Sequence, residues 1–323
     1  MRISALDKQA ICRKKTNVRA SRGIGRREFC AGLAALAAGP ARALAAGGYR
    51  FRYILASPMY GKAPLADIVP EAPKIGAAHI DIWPAAHGNQ REQLGEMGEE
   101  KFAALLAGHG VRLGCVTRYD LGPFGLKDEL ALVKRLGGEV IVTGAKGPKN
   151  LTGEDLKRAV RDFAEQLMPH AQAAERAGVT IAIENHSGSL LHSADSMRYF
   201  AEASVSDRIG LAFAPHHLPQ DGAMQGALVA ELGPAVKFFY AQGAGWSTGP
   251  QPKEKELMQM PGRGALDFGP AVAALKKMAY GGFVEIFMHP FPRGIPILEP
   301  PSAVTAEINR SREHLNKLLE GAG

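Results

Sequence analysis

The sequence predicts an α/β protein folded as a (β/α)8 TIM barrel, and three observations lead there. Short apolar runs rich in β-branched residues alternate with longer amphipathic stretches, and the alternation repeats eight times. Most of the short runs are apolar throughout, as strands covered on both faces must be. The chain has 323 residues, enough for one barrel of roughly 250 residues with an extension. A doubly wound open sheet is the alternative, but no phosphate-cradling glycine fingerprint follows the first strand to support it.

In chain order the expected strands are Tyr49–Ala56, Ala78–Ile82, Arg112–Thr117, Val140–Thr143, Thr180–Glu184, Ile209–Phe213, Val236–Tyr240 and Phe283–Phe287. The first helix, near Leu65–Ile75, is interrupted by Pro64, Pro70 and Pro73. Clearer amphipathic stretches follow at Phe102–Gly108, Leu126–Leu136, Glu154–Ala177, Ser193–Glu202, Gly222–Glu231, Asp267–Tyr280 and Ser302–Leu319. Boundary signals support them. Thr152 precedes the acidic pair Glu154-Asp155, and Gly178 follows Arg176.

The formal charge is +7, which raises nucleic acid or an anionic membrane as a partner until the charge is located. Residues 1–45 hold 10 of the 39 Lys/Arg and 2 of the 32 Asp/Glu, leaving 29 basic against 30 acidic residues in 46–323. The barrel segment is therefore nearly neutral, and no nucleic-acid partner is expected. In the leader, Arg26-Arg27 precedes a short Ala/Gly-rich apolar run and the small-residue stretch Ala43 to Ala45. This layout resembles a twin-arginine export signal. The expectations are an export signal over 1–45, dealings with the twin-arginine export machinery, cleavage, and a periplasmic or otherwise exported barrel over 46–323 without a stable membrane anchor. Of Cys12, Cys30 and Cys115 only the last would remain, so no intramolecular disulfide is expected.

Barrel enzymes carry their chemistry at the C-terminal ends of the strands. There the fifth strand delivers Glu184, Asn185 and His186, the sixth His216 and His217, the seventh Tyr240, Gln242 and Trp246, and the eighth Glu285 and His289. A carboxylate next to a barrel core is costly without a purpose. Near the end of the second strand, Asp81 and His87 are within reach of a substrate, and Trp83 joins Trp246 as a candidate exposed aromatic platform for a sugar.

The stretches GVTIAIENH, LAFAPHHL and PGRGALDFGPAVAALKKMAYGGFVEIF resemble the xylose isomerase-like barrels, a family that includes sugar isomerases and epimerases. The resemblance runs from about Tyr49 onward. It implies one divalent metal held by Glu, Asp, His and Glu after strands five to eight, with the two glutamates moving protons. Glu184 and Glu285 match those glutamates. Ala214 stands where the Asp would be and Tyr240 where the His would be, while His217 matches a further family histidine. In place of the missing ligands, a set of Glu184, His217 and Glu285 with Gln242 or His186 would suit a divalent Mn²⁺, Zn²⁺ or Mg²⁺, and His186, His216, Tyr240, Trp83, Trp246 and His289 are expected around a substrate. Two facing carboxylates repel unless something positive lies between them, either a metal or a protonated imidazole. The expected activity is proton transfer beside the carbonyl of a small sugar or sugar derivative. The alternatives are a lyase acting on oxidised glycosides and a sugar-binding barrel without catalysis.

Overall fold

Eight parallel strands close into a barrel in chain order, each hydrogen-bonded to the next and the last to the first. They are β1 (Arg52–Ala56), β2 (His79–Ile82), β3 (Arg112–Thr117), β4 (Val140–Gly144), β5 (Thr180–Glu184), β6 (Ile209–Phe213), β7 (Val236–Ala241) and β8 (Phe283–Ile286). This computed structural model describes residues 48–245 and 249–322. The basic leader with its export signal, and Trp246, lie outside the described residues. Every strand matches its expected run to within three residues at either end. Continuous burial explains this: β2, β6 and β8 are buried at every position, between the barrel interior and the surrounding helices.

The helices depart from expectation where proline punctuates the chain. The stretch expected as one helix over Glu154–Ala177 is two, Gly153–Gln166 and Met168–Ala177, with Pro169 in the first turn of the second. The proline-rich segment after β1 forms one helical turn, Leu65–Ile68, followed by 3-10 turns at Val69–Glu71 and Pro73–Ile75. The helix Gln90–Met97 was not anticipated, since only Leu94 among its apolar side chains is buried. Among the described residues no helix is long and apolar enough to cross a membrane.

Small residues set two close approaches. In β3, a Cβ on Gly114 would lie 2.7 Å from Ile54 Cδ1 and 3.0 Å from Phe283 Cζ, so glycine leaves room for those side chains at the barrel's N-terminal end. Helix Gly222–Leu232 touches helix Gly269–Lys277 at Gly226, where a Cβ would stand 2.4 Å from Pro270 Cβ and 2.6 Å from its carbonyl carbon. Gly226→Ala is expected to force the helices apart and cost about 1–3 kcal/mol, read as a lower urea midpoint. An unchanged midpoint would show that this contact is not tight.

The parallel registers decide what reaches the C-terminal rim. Glu184 is the last residue of β5, level with Gly144 and Ala212, and Glu285 is level with Tyr240 and Ile54.

Candidate active site

Asn185, the residue after β5, locks the adjoining rim. Its Oδ1 accepts from the Ala214 amide at 2.8 Å and its Nδ2 donates to the Ala214 carbonyl at 3.0 Å. The chain then turns through a 3-10 segment, Pro215–His217, which carries both histidines. Gln220 and Gln225 donate to the Pro215 carbonyl from the far side, at 3.0 and 3.1 Å. Asn185 is thus neither a ligand nor a helix cap. It fixes His216 and His217 relative to Glu184.

One carboxylate oxygen of Glu184 and one ring nitrogen from each of His216 and His217 all lie within 4.8 Å of one another. The His217 Nε2 is 3.9 Å from Glu184 Oε1, and its Nδ1 faces Ser187 Oγ at 3.3 Å. Both ring nitrogens of His216 are buried without a hydrogen-bond partner. Burial holds His217 down to about 3 and His216 well below the ordinary range. They are therefore neutral bases with lone pairs available to a cation. One carboxylate and two imidazoles around an open position suit a borderline divalent ion such as Zn²⁺. The residues fit a metal, but with different members from the set expected from sequence. His216 joins Glu184 and His217, and Glu285 is not in the group.

Glu285 instead sits beside Asp81. Apart from each other, both of its oxygens and Asp81 Oδ1 are buried without a hydrogen-bond partner. Asp81 Oδ2 accepts from Trp83 Nε1 and Thr117 Oγ1, each at 2.7 Å. Burial, then Asp81, pushes Glu285 well above the usual carboxylate range. Burial raises Asp81 to about 6, opposed by its bonds from Thr117 and Trp83. A hydrogen bond between two carboxyl groups requires a proton on one of them. Asp81 Oδ2 already accepts from two donors, and Glu285 is the more strongly raised of the pair, so the proton rests on Glu285. Besides the cation or imidazolium expected between two facing glutamates, a proton on Glu285 is a further way to relieve their repulsion.

The remaining positions form two further clusters. Tyr240, at the expected His position, has its hydroxyl 3.2 Å from that of Tyr119, which in turn bonds Glu184. Burial raises Glu184 to about 8, with Tyr119 pulling the other way. Gln242 donates to Gln259 Oε1 at 2.8 Å, and Gln259 also holds the main chain of His289. His186 lies beside His217, with ring centroids 3.9 Å apart. Trp83 is buried rather than exposed, stacks on Phe287 at 5.0 Å and gives its N–H to Asp81.

Above these groups opens a cleft of about 530 Å³. Glu184, His186, His217, His289, Trp83 and Tyr119 are among its walls, while Glu285, fully buried, is not. Tyr119, Arg293, Thr117 and Gln259 escaped the sequence reading. Tyr119 lies two residues beyond β3. Arg293 is seven residues beyond β8, where spacing predicts no position. A second cavity, of about 420 Å³, is lined by Arg52, Thr180, Val236 and Phe283 at the N-terminal strand ends, the end that serves stability in such barrels.

Against known proteins, the family described as xylose isomerase-like TIM barrel matches residues 69–314. The chain belongs to the xylose isomerase-like TIM barrel family. Solved structures agree on the fold of this xylose isomerase-like barrel. A xylose isomerase domain protein from Alicyclobacillus acidocaldarius subsp. acidocaldarius is similar at 16% identity and a TM-score of 0.62, covering 84% of this chain and 99% of its own. A D-psicose 3-epimerase from Clostridium cellulolyticum H10, solved with D-tagatose, is similar at 15% identity and a TM-score of 0.62, covering 83% and 99%. The IOLI protein, solved with a bound zinc atom, is similar at 16% identity and a TM-score of 0.59, covering 84% and 98%. No curated protein matches the sequence.

The buried titratable groups make the stability of the metal-free barrel depend on pH from both sides. His79, His87, His216, His217 and His289 are held below their ordinary value chiefly by burial. As pH falls below 6.5 the unfolded chain takes up protons that the folded one refuses, so stability drops. Asp81, Glu184 and Glu285 are raised. As pH climbs above their unfolded values near 4 the folded chain keeps protons that the unfolded one releases, and stability drops that way too. The histidines outnumber the carboxyls on the acid side, which puts the maximum near neutrality. The melting temperature without metal is expected to peak between about pH 6 and 7.5 and to fall by at least a few °C at pH 5 and pH 9. A monotonic profile would contradict these protonation states.

Proposed function

We propose that this chain is a sugar isomerase or epimerase that moves a proton on carbon next to a carbonyl, with Glu184 as the proton carrier. The observation that carries this reading is a single buried carboxyl at the wall of a cleft, backed by Tyr119 and flanked by neutral imidazoles. Ionised Glu184 takes the proton from carbon. The C–H electron pair then shifts into the bond to the carbonyl carbon, and the carbonyl oxygen gathers the charge. An imidazole N–H at the cleft wall would donate to that oxygen, while Tyr119 keeps its hydroxyl on Glu184. The proton returns from Glu184 to the adjoining carbon while a hydroxyl proton passes between the two oxygens. Zn²⁺ or Mn²⁺ on Glu184, His216 and His217 would supply a Lewis acid there.

Returning the proton to the same face needs one carboxyl, whereas inverting a centre needs a second group on the opposite face. Glu285 lies below the floor of the cleft beside Asp81, which favours transfer on one face, the isomerase form of the activity. The test is deuterium uptake from D2O by keto sugars, followed by product stereochemistry, for the intact chain and for Glu285→Gln. Isomerisation that survives Glu285→Gln supports the one-face reading. Epimerisation lost in that variant would replace it with a two-glutamate mechanism, and no uptake with any sugar, with or without Zn²⁺ or Mn²⁺, would leave a binding barrel. Export of the mature barrel through the twin-arginine machinery to the periplasm belongs to the same proposal, supported by the leader sequence. Fractionation of cells making the full chain, beside an Arg26→Lys/Arg27→Lys variant, tests it.

A further inference from the structure

The charge around the cleft is the reverse of that on the barrel as a whole. Residues 46–323 carry 29 basic and 30 acidic side chains. Yet the charged residues lining the cleft, histidines apart, are Lys146, Lys149, Arg293 and Glu184. Counting Glu184 as ionised, the lining is net +2, and neutral Glu184 or a bound divalent cation makes it more positive still. Among the described residues, neither lysine makes an ion pair with a carboxylate or a hydrogen bond through its side chain. Both sit on the exposed loop after β4, while Arg293 stands on the loop after β8, against His87. The three cations thus come from loops on opposite sides of the rim.

We infer that the sugar taken by this cleft is acidic, a uronate whose carboxylate is met by Lys146, Lys149 and Arg293. This rests on the sugar-isomerase reading above and names its substrate class. A neutral sugar leaves the two lysines without a counter-charge. A phosphate is less well served, because phosphates are commonly gripped by main-chain amides at a helix N-terminus. No lining residue lies in the first turn of an α-helix, and the helices that follow the loops after β4, β5 and β8 begin at Gly153, Ala194 and Pro301. The 3-10 turn that does contribute begins with Pro215, which has no N–H to offer. Side-chain point charges spread over the rim suit the smaller charge of a carboxylate.

The experiment is calorimetric titration of the full chain with D-glucuronate, D-galacturonate and D-fructuronate, beside the matching neutral hexoses and their 6-phosphates, at low and moderate salt. At least one uronate is expected to bind ten-fold or more tighter than both its neutral and its phosphorylated counterpart, and to lose most of that advantage in 0.3 M NaCl. Lys146→Ala/Lys149→Ala is expected to abolish the advantage, while Lys101→Ala, an exposed lysine elsewhere, leaves it intact. If no uronate gains over its neutral counterpart, or if the 6-phosphate binds tighter, the inference is overturned. Deuterium exchange separates the two readings. Exchange confined to neutral sugars sinks this inference and leaves the isomerase standing, whereas tight uronate binding without exchange does the opposite.

Discussion

Glu184→Gln is expected to cut deuterium incorporation into a keto-sugar substrate by about 10²–10⁴-fold, the usual contribution of a positioned general base. The amide keeps the volume of the side chain and can still accept from Tyr119, so the fold should survive. In the metal-free protein its stability should even gain at alkaline pH, because the wild-type carboxyl is raised to about 8 by burial and is forced to ionise there. The same group fixes the shape of the activity profile. A base must be ionised to work, so without a metal, turnover should rise with pH through about 8. A divalent cation on Glu184 favours the ionised form and should move that limb to lower pH. Exchange that persists at wild-type rate in Glu184→Gln would remove the proton carrier from the proposal. A limb that ignores added Zn²⁺ or Mn²⁺ would remove only the metal.

His216→Ala should weaken the metal-bound form of the protein and leave the metal-free form little changed. In the metal-free barrel His216 is buried with both ring nitrogens unpartnered, a cost of roughly 1–3 kcal/mol per unsatisfied group. Removing the ring also leaves a cavity, so the metal-free melting temperature should change little. With metal present, losing one of three side-chain ligands should lower affinity by at least ~10²-fold and erase the rise in melting temperature that Zn²⁺ gives the wild type. Metal content after dialysis and melts with and without Zn²⁺ read both effects. Equal metal content in wild type and variant would break the assignment of His216. Glu285→Gln serves as the comparison, since a carboxyl that already holds a proton beside Asp81 gives up little metal affinity when it becomes an amide.

The barrel was legible because its signal is repetitive. A strand buried on both faces must be apolar throughout, and eight such runs spaced by amphipathic stretches leave few folds to choose from. The rim was legible only in part, because strand ends announce which residues arrive and say nothing of their partners. Glu184, His216 and His217 could be named from TIAIENH and FAPHH. That Glu285 turns to Asp81 depends on side-chain positions across β1, which no spacing encodes. Family correspondence misled at the same place. Ala214 and Tyr240 stand in two expected ligand positions, and the imidazole one residue before the matched His217 is the one that gathers with Glu184 and His217. Trp83 looked like an exposed platform because a tryptophan beyond a strand end has no evident core partner. Its stacking partner, Phe287, comes from the far end of the chain.

The reciprocal pair of bonds between Asn185 and the Ala214 main chain ties the segment behind β5 to the one behind β6. Glu184 and its imidazole neighbours therefore sit on one braced arch of the rim. Lys146, Lys149 and Arg293 stand on other loops, after β4 and β8, outside that brace. Substitution in those outlying loops can retune which sugar enters without disturbing the machinery beneath, so descendants of this barrel can diverge in diet while conserving their chemistry.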